Sequence, residues 1–76
     1  MRVRVRGCGQ LAQFTGGAEL ELDVGEEPTV RAVVARLGIP PGVSFLLLVN
    51  ERQGRLGDVL TEGDRLLFLP GMAGGA

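Results

Sequence analysis

The C-terminal end of this chain contains the residues whose types and spacing suit a role in a chemical reaction. Residues 69–76 read Leu-Pro-Gly-Met-Ala-Gly-Gly-Ala. Pro70 has no backbone N–H to donate, so β-pairing is expected to finish there. Gly74 and Gly75 let the backbone lie flat in a space too narrow for a Cβ atom. The seven residues that end at Ala76 reach about 23 Å at roughly 3.3 Å per residue. The tail therefore predicts a terminal carboxylate that is delivered into the active site of another protein.

The composition offers little else that could catalyse a reaction. The chain has 76 residues and no histidine, so the commonest general base and metal ligand is missing. All eight basic residues are arginine, which leaves no internal lysine amine to accept an acyl group. The net charge of −1 provides no strong field toward nucleic acid or a membrane, and neither is expected as a partner. No grouping of the remaining polar residues predicts a self-sufficient enzyme or a metal site.

The single cysteine and the N-terminus indicate the compartment. Cys8 is the only cysteine, so an internal disulfide is excluded and a reducing environment is favoured. We expect it to act as a small, semi-buried hydrophobic residue. No apolar run approaches the 18 residues of a membrane span, and the first residues do not resemble a signal peptide. The expected localisation is cytoplasmic.

Two segments alternate apolar and charged residues, which predicts half-buried strands. In residues 2–6 the charged face of the predicted strand carries arginines. In residues 19–24 the charged face carries acidic residues. Antiparallel pairing would set the arginines across from the acids, so cross-strand ion pairing is favoured over phosphate binding. The link at 7–17 is long for a hairpin, and we expect Leu11 and Phe14 to return to the core.

A short helix is predicted after Thr29, which is a plausible N-cap. Apolar residues recur at helical spacing from this point: Val30, Val33, Val34 and Leu37. Gly38 is suited to end the helix. At about nine residues such a helix is too short to be stable alone, so it must lie on the sheet.

The second half of the chain predicts two further strands and their connections. Residues 45–49 are apolar throughout, which is typical of a central strand flanked on both edges. Residues 50–54 are expected to form a turn, and 56–60 a single helical turn or a short strand. After a turn at 62–64, the last strand is expected at 65–69.

One helix can cover only one face of a four- or five-stranded sheet. Because the third and last strands are apolar on both faces, an apolar patch rimmed by charge is expected on the open face, as a docking surface. We expect Leu66 and Phe68 to point inward. Leu67 and Leu69 would then be exposed beside the base of the tail.

The order β-β-α-β-β and the closing Gly-Gly resemble the ubiquitin-like β-grasp sulfur carriers of the MoaD/ThiS family over nearly the whole chain. The matching segments are residues 3–5, 11–16, 29–34, 48–50, 62–65, 68–70 and 73–75. The resemblance implies an α+β fold, with a mixed four- to five-stranded sheet and one helix packed on one face. It also implies a β-grasp domain at 1–69 and a flexible Gly-Gly tail at 70–76.

The resemblance further implies a role as a carrier rather than an enzyme. An E1-like adenylating enzyme would use ATP to activate the C-terminus. A sulfurtransferase or cysteine desulfurase would then supply the sulfur that leaves a thiocarboxylate for an acceptor synthase. No cofactor or metal would be bound by the carrier. Gly75 would hold the adenylate and then the thiocarboxylate, and Ala73 and Gly74 would line the partner's channel. The implied partner-binding residues are Leu67, Leu69, Pro70 and Met72.

Three positions depart from the family pattern. Ala76 follows the Gly-Gly pair, so we expect a precursor that a protease trims to Gly75 or a blocked form, unless Ala76 is an artefact. Gly71 stands where molybdopterin-type carriers often have a second proline, and it is expected to loosen the tail. Gly7 and Cys8 stand where relatives commonly place aromatic residues.

The receiving pathway is not decided by the sequence. The approach to the tail at 68–70 and the chain length favour molybdopterin biosynthesis, with this chain as the small subunit of a molybdopterin synthase. The alternatives are a sulfur carrier for the thiazole of thiamine, one for cysteine or a thioacid metabolite, and a ubiquitin-like docking module that carries no sulfur. Ala76 favours the docking module.

Overall fold

A computed structural model describes residues 1–17, 19–26 and 28–71. Its strands are β1 (Arg2–Gly7), β2 (Leu20–Asp23), β3 (Phe45–Val49), β4 (Arg52–Gln53) and β5 (Arg65–Pro70). A 3₁₀ helix (Gly9–Phe14) follows β1, and one α-helix, α1 (Val30–Leu37), lies between β2 and β3. Within the described residues, no helix has the length and apolar character needed to cross a membrane.

The five strands form one mixed sheet in the order β2-β1-β5-β3-β4. β1 and β5 are parallel, and the other neighbouring strands are antiparallel. β5 is therefore the central strand. β3, predicted to be central, has a neighbour on each edge, but β4 pairs only with its last two residues, Leu48 and Val49.

The first two strands pair as predicted. Arg2 lies opposite Asp23 and Arg4 opposite Glu21, so the arginine and acidic faces meet. The Nη1 atom of Arg2 lies 3.2 Å from Oε1 of Glu21. The strand starts at Leu20, one residue later than the alternation indicated. These contacts agree with ion pairing on a solvated face.

Local capping explains the limits of α1. The hydroxyl of Thr29 accepts a hydrogen bond from the N–H of Ala32 at 3.2 Å, which confirms it as the N-cap. Gly38 ends the helix in the left-handed conformation with φ 75°. The helix has eight residues.

The segment 56–60 is neither a helical turn nor a regular strand. It is a loop that lies against the start of α1, joined to it by an isolated β-bridge between Val59 and Thr29. The N–H of Val30 donates to the carbonyl of Asp58 at 3.1 Å. This loop thus satisfies a backbone donor that the first helical turn leaves unpaired.

The turn after β3 is shorter than predicted, because it consists of two residues. Asn50 has φ 50° and Glu51 has φ 71°, the left-handed values that a tight type I′ hairpin requires. The rest of the predicted turn includes β4, which the sequence did not indicate, since Arg52 and Gln53 show no apolar alternation.

The core lies between the sheet and α1, with the 3₁₀ helix at one end. Its buried residues are Val3, Val5, Leu11, Val24, Val30, Val33, Ile39, Leu47, Leu60, Leu66 and Phe68. Leu11 is 1 % exposed and Phe14 packs against the cluster, so both return to the core as expected. The ring of Phe45 meets that of Phe68 edge-on, with centroids 5.0 Å apart.

The 3₁₀ helix folds back so closely on β1 that only glycine fits at the end of the strand. A Cβ atom on Gly7 would lie 2.6 Å from the carbonyl carbon of Leu11 and 3.0 Å from the nitrogen of Ala12. Both neighbours are backbone atoms, which cannot move aside as a flexible side chain could.

This contact gives a first prediction. Gly7→Ala should lower the free energy of unfolding by about 1–3 kcal/mol, the usual cost of overpacking. Gly42→Ala is the matched control, because nothing lies within 4 Å of the added Cβ, and it should change stability by about 0.5 kcal/mol or less. Urea unfolding measures both. Equal stability of the two variants would contradict the close approach.

Candidate docking face and tail base

The face of the sheet opposite α1 carries a cluster of four leucines. Side chains alternate along a strand, and the buried residues of β3 and β5 point to the core, so the residues between them lie on the outer face. In the register of the two strands, Leu46 lies opposite Leu69 and Leu48 lies opposite Leu67. We call these four residues the leucine patch.

The predicted orientation of the last strand is confirmed. Leu66 and Phe68 point inward and are 2 % and 1 % exposed. Leu67 and Leu69 face outward, but they are half-buried rather than exposed. The reason is that each lies beside a leucine of β3 across the ladder, and the paired side chains cover one another.

Sequence reasoning did not single out the two patch residues on β3. Leu46 is the most open member, at 42 % exposure, and Leu48 is half-buried. A run that is apolar at every position carries no period, so it does not reveal which residues face outward. They could have been found from the pairing of β3 with β5, because the sequence did predict which residues of β5 face outward.

Charged side chains border the leucine patch on its β1 side. Arg6 lies opposite Leu67, and Arg4 lies opposite Arg65, in the parallel register of β1 and β5. A shallow depression of about 240 Å³ lies at this border. Its charged lining residues are Arg6, Glu19, Glu51 and Arg65. The outer face is therefore apolar on β3 and β5 and charged on β1 and β2, as expected for a rimmed patch.

Asn50 and Asp64 fix the register that builds the patch. The N–H of Asn50 donates to the carbonyl of Arg65 at 2.8 Å, and the N–H of Arg65 donates to Oδ1 of Asn50 at 3.0 Å. The side-chain amide of Asn50 also donates to Oδ1 of Asp64 at 2.9 Å. The turn after β3 is thus tied to the start of β5.

The same contacts shift the titration of Asp64. Burial raises the pKa of this carboxyl group. Hydrogen bonds from the N–H of Thr61, the amide of Asn50 and the hydroxyl of Thr61 outweigh that effect, so the pKa lies below its ordinary value of 3.8. The folded protein therefore favours the ionised form.

The base of the tail is paired further along the chain than predicted. β5 includes Pro70, which lies opposite Phe45, and the N–H of Gly71 donates to the carbonyl of Ser44 at 3.2 Å. Pro70 is tolerated because the parallel neighbour, β1, has already ended at Gly7, so no partner requires its missing N–H.

Gly71 fastens the base of the tail instead of loosening it. A proline at this position could not donate the hydrogen bond to Ser44. A Cβ atom on Gly71 would lie 3.1 Å from the nitrogen of Phe45 and from the carbonyl carbon and hydroxyl of Ser44. Glycine therefore allows the backbone to stay against β3 for one residue beyond Pro70.

The remaining tail residues assigned from the sequence lie outside the described residues. These are Met72, Ala73, Gly74, Gly75 and Ala76. The division into a domain at 1–69 and a tail at 70–76 therefore stays a prediction, as do the roles given to these five residues.

Cys8 and the acidic side chains do not assemble a metal centre in the part of the chain described. Cys8 is free and half-buried. Among residues 1–17, 19–26 and 28–71, no group of three or more potential ligands could hold a metal ion. What the described residues offer is the leucine patch, which adjoins the base of the C-terminal tail.

The strand order, with one helix across one face of a mixed sheet, defines a ubiquitin-like β-grasp protein. The ThiS family model matches residues 5–75. The chain belongs to the ThiS family, and the resemblance to MoaD/ThiS proteins inferred from the sequence is confirmed.

Solved structures share this fold at low sequence identity. SAMP1 from Haloferax volcanii is 21 % identical, with a TM-score of 0.73, and the match covers 99 % of this chain and 100 % of that one. The small archaeal modifier protein 1 of Methanosarcina acetivorans is 22 % identical, with a TM-score of 0.73 and coverage of 97 % and 96 %. A complex of subunits 1 and 2 of the molybdopterin-converting factor from Helicobacter pylori contains a chain 22 % identical, with a TM-score of 0.68 and coverage of 99 % and 100 %. No curated protein matches significantly.

The lowered pKa of Asp64 predicts a pH-dependent contribution to stability. A carboxyl group with a depressed folded-state pKa stabilises the fold above its unfolded-state pKa, near 3.8, and loses that effect as the pH falls through the folded-state value. Asp64→Asn should lower the free energy of unfolding by about 1 kcal/mol at pH 7. The difference from wild type should shrink below pH 4 or so.

Urea unfolding at intervals from pH 7 to strongly acidic pH measures this difference. Glu26→Gln removes an exposed carboxylate and controls for the change in net charge. A difference between Asp64→Asn and wild type that stays constant with pH would contradict the role given to the ionised carboxylate.

Proposed function

We propose that this protein is a sulfur carrier. Its C-terminal carboxylate, on Gly75 after removal of Ala76, is activated and converted to a thiocarboxylate that donates sulfur in cofactor biosynthesis. The observation that carries the proposal is membership of the ThiS family over residues 5–75, a match that includes the Gly-Gly pair. The leucine patch beside the base of the tail supports it.

The proposed chemistry takes place on the tail, within partner enzymes. A carboxylate oxygen of Gly75 attacks the α-phosphorus of ATP in an E1-like adenylating enzyme, and pyrophosphate leaves. The terminal sulfur of a persulfide, carried by a cysteine desulfurase or another sulfurtransferase, attacks the acyl carbon, and AMP leaves. A thiol then reduces the resulting acyl disulfide, which releases the thiocarboxylate and leaves the thiol in a disulfide with the sulfurtransferase cysteine. ATP is consumed by the activating enzyme, and this chain binds no cofactor in the proposal.

The position of the leucine patch limits where a partner's active site can lie. Leu69 is followed at once by Pro70 and by Gly71, which is fixed to β3. From Gly71 to Gly75 the chain spans at most about 13 Å at roughly 3.3 Å per residue. An enzyme that docks on the patch must therefore hold its reacting groups within that distance of Gly71. Ala73 and Gly74 would line its channel, and Pro70 and Met72 would contact its entrance.

The receiving partner is proposed to be an acceptor synthase of the molybdopterin type. The Helicobacter pylori structure is a complex of subunits 1 and 2 of a molybdopterin-converting factor, and its likeness to this chain favours an equivalent large subunit as the partner here. The adenylating enzyme and the synthase would use the leucine patch in turn. A protease would first remove Ala76. A cytoplasmic setting suits both the soft thiocarboxylate and the free Cys8.

A second candidate function is protein modification. The likeness to SAMP1 and to small archaeal modifier protein 1 favours it. In that reaction the lysine amine of another protein would attack the activated C-terminal carbonyl, AMP or a thiol would leave, and an amide bond would form. This chain has no lysine, so it could not be its own acceptor through such a bond.

Three chain lengths test the carrier proposal directly. Chains that end at Ala76, Gly75 and Gly74 are incubated with ATP, sulfide and the adenylating enzyme of the same organism, and their intact masses are measured. The chain ending at Gly75 should gain the mass difference between sulfur and oxygen. The chains ending at Ala76 and Gly74 should not be converted, because an extra Cβ or a shortened tail misplaces the carboxylate.

Each outcome decides one point. Conversion of the chain ending at Ala76 would show that trimming is unnecessary. If the chain ending at Gly75 stays unchanged, the carrier proposal is wrong and the docking module is favoured. Stable addition of the chain to lysines of other proteins in a cell extract would support the modifier instead. Thiamine-type and molybdopterin-type acceptors are then distinguished by which synthase consumes the thiocarboxylate.

The docking role of the leucine patch gives a separate prediction. Leu69→Arg and Leu46→Arg should each weaken binding to the adenylating enzyme at least about tenfold, since a charge at the centre of an apolar interface must be desolvated. Val59→Arg is the matched control, because Val59 is an exposed apolar residue at 72 % exposure that lies outside the patch.

Titration calorimetry measures the affinity, and circular dichroism verifies that each variant is folded. Val59→Arg should bind as wild type does. Undiminished binding by folded Leu46→Arg and Leu69→Arg would show that the docking surface lies elsewhere on the molecule.

A further inference from the structure

We propose that four residues around Pro70 form a clamp that sets the direction in which the tail leaves the sheet. The clamp consists of Cys8 and Gly9 on one side and Ser44 and Gly71 on the other. Its members are positioning residues for delivery of the C-terminal carboxylate. The inference rests on the proposed function, but it concerns a part of the fold to which that function assigns no role.

The first side of the clamp is the turn from β1 into the 3₁₀ helix. The N–H of Cys8 donates to the carbonyl of Phe68 at 2.9 Å, which continues the contact with β5 after β1 has ended. Gly9 follows with φ +57°. A Cβ atom on Gly9 would lie 2.8 Å from Cγ and 3.6 Å from Cδ of Pro70. The backbone of Gly9 therefore lies against the proline ring, with no space left for a side chain.

The second side of the clamp is the start of β3. The hydrogen bond from Gly71 to the carbonyl of Ser44 holds the backbone just after Pro70. The space around Gly71 is tight, but a Cβ atom could be accommodated after small shifts, because its nearest neighbours would lie 3.1 Å away. Pro70 is thus fixed on one side through its ring and on the other through the next peptide unit, while the ring itself fixes φ near −65°.

Anchoring on both sides matters because it fixes the point and the direction from which residue 72 starts. When a partner's channel holds residues 72–75 extended, Gly75 lies at most about 13 Å from Gly71, so a change of about 20° at the base would then move the end by about 4–5 Å. Misplacement of a reacting group by about 1 Å can cost about a hundredfold in rate. A tail that leaves in one direction also loses less entropy when it enters a partner's channel.

The simpler interpretation is that both glycines only permit the fold. The two interpretations differ in which kinetic constant changes. A clamp variant that still docks on the leucine patch should lose kcat and keep its KM. A variant that is merely destabilised should show a lower midpoint of unfolding, with normal kcat below that midpoint.

The experiment uses the chain ending at Gly75 and the adenylating enzyme, with ATP–pyrophosphate exchange as the assay. Gly9→Ala and Gly71→Ala should each lower kcat at least about tenfold, with KM for the carrier within about threefold of wild type. Gly16→Ala is the control for Gly9, since it has φ +76° but nothing within 4 Å. Gly42→Ala is the control for Gly71, since it has ordinary φ and open space.

A second variant guards against loss of folding in Gly9→Ala. Adding Pro70→Ala removes the ring that the new Cβ would meet, so the double variant should regain the stability lost to that contact, though not the part lost to the positive φ at position 9, while kcat stays low. Gly71→Ala requires its neighbours to move by only a few tenths of an ångström, and we expect it to fold. Unfolding in urea verifies both points.

A measurement that does not use the adenylating enzyme tests the clamp independently of the carrier proposal. Residual dipolar couplings of the amides that follow Gly71 should change in Gly71→Ala and not in Gly42→Ala. Unchanged couplings together with unchanged kcat in the folded variant would overturn the clamp. A rise in KM alone would also overturn it, because that result assigns these residues to docking. If wild type is not adenylated but the couplings change as expected, the carrier proposal fails, the delivery role of the clamp fails with it, and only its effect on the direction of the chain after Gly71 stands.

Discussion

The antiparallel ladder between β3 and β5 is the interaction on which the other features of this molecule depend. It places Leu47 opposite Phe68 toward α1 and, one residue further along, Leu46 opposite Leu69 toward solvent. Because side chains alternate with a period of two, the register that builds the core also builds the leucine patch. A slip by one residue would bring the patch inside and expose the core residues. The stability of the core and the shape of the proposed docking face therefore both depend on the register of this one pairing.

The two ends of this ladder are secured by different means. At one end, Asn50 and Asp64 link the hairpin turn to the start of β5 through charged and amide hydrogen bonds. At the other end, the backbone N–H of Gly71 donates to the carbonyl of Ser44, and on the opposite edge of β5 the N–H of Cys8 donates to the carbonyl of Phe68. Side-chain bonds at the first end respond to pH through the carboxylate. The backbone bonds at the tail end involve no titratable group.

Much of the fold could be predicted because its signals are local. The alternation in β1 and β2, the Thr29 cap and the αL glycine at position 38 each act within a few residues, and each is found as predicted. Apart from the short hairpin to β4, the misses at the site concern features that depend on partners distant in sequence. Leu46 and Leu48 could not be assigned to a face, because a uniformly apolar strand has no period of its own. Gly71 was expected to loosen the tail because its fit against Ser44 is visible only once β3 and β5 are paired.

The glycines near the tail divide into two kinds, and the difference bears on how the proposed carrier could control a reaction that takes place inside a partner enzyme. Gly9 and Gly71 are constrained by this chain's own packing, since a Cβ there would meet Pro70 or Ser44. Gly74 and Gly75 are proposed to be constrained by a partner's channel. Affinity then depends on the leucine patch, and the rate depends on where the tail is directed. A carrier built in this way can serve several enzymes with one docking face, because each enzyme needs only to match the patch and to place its reacting groups where the tail ends.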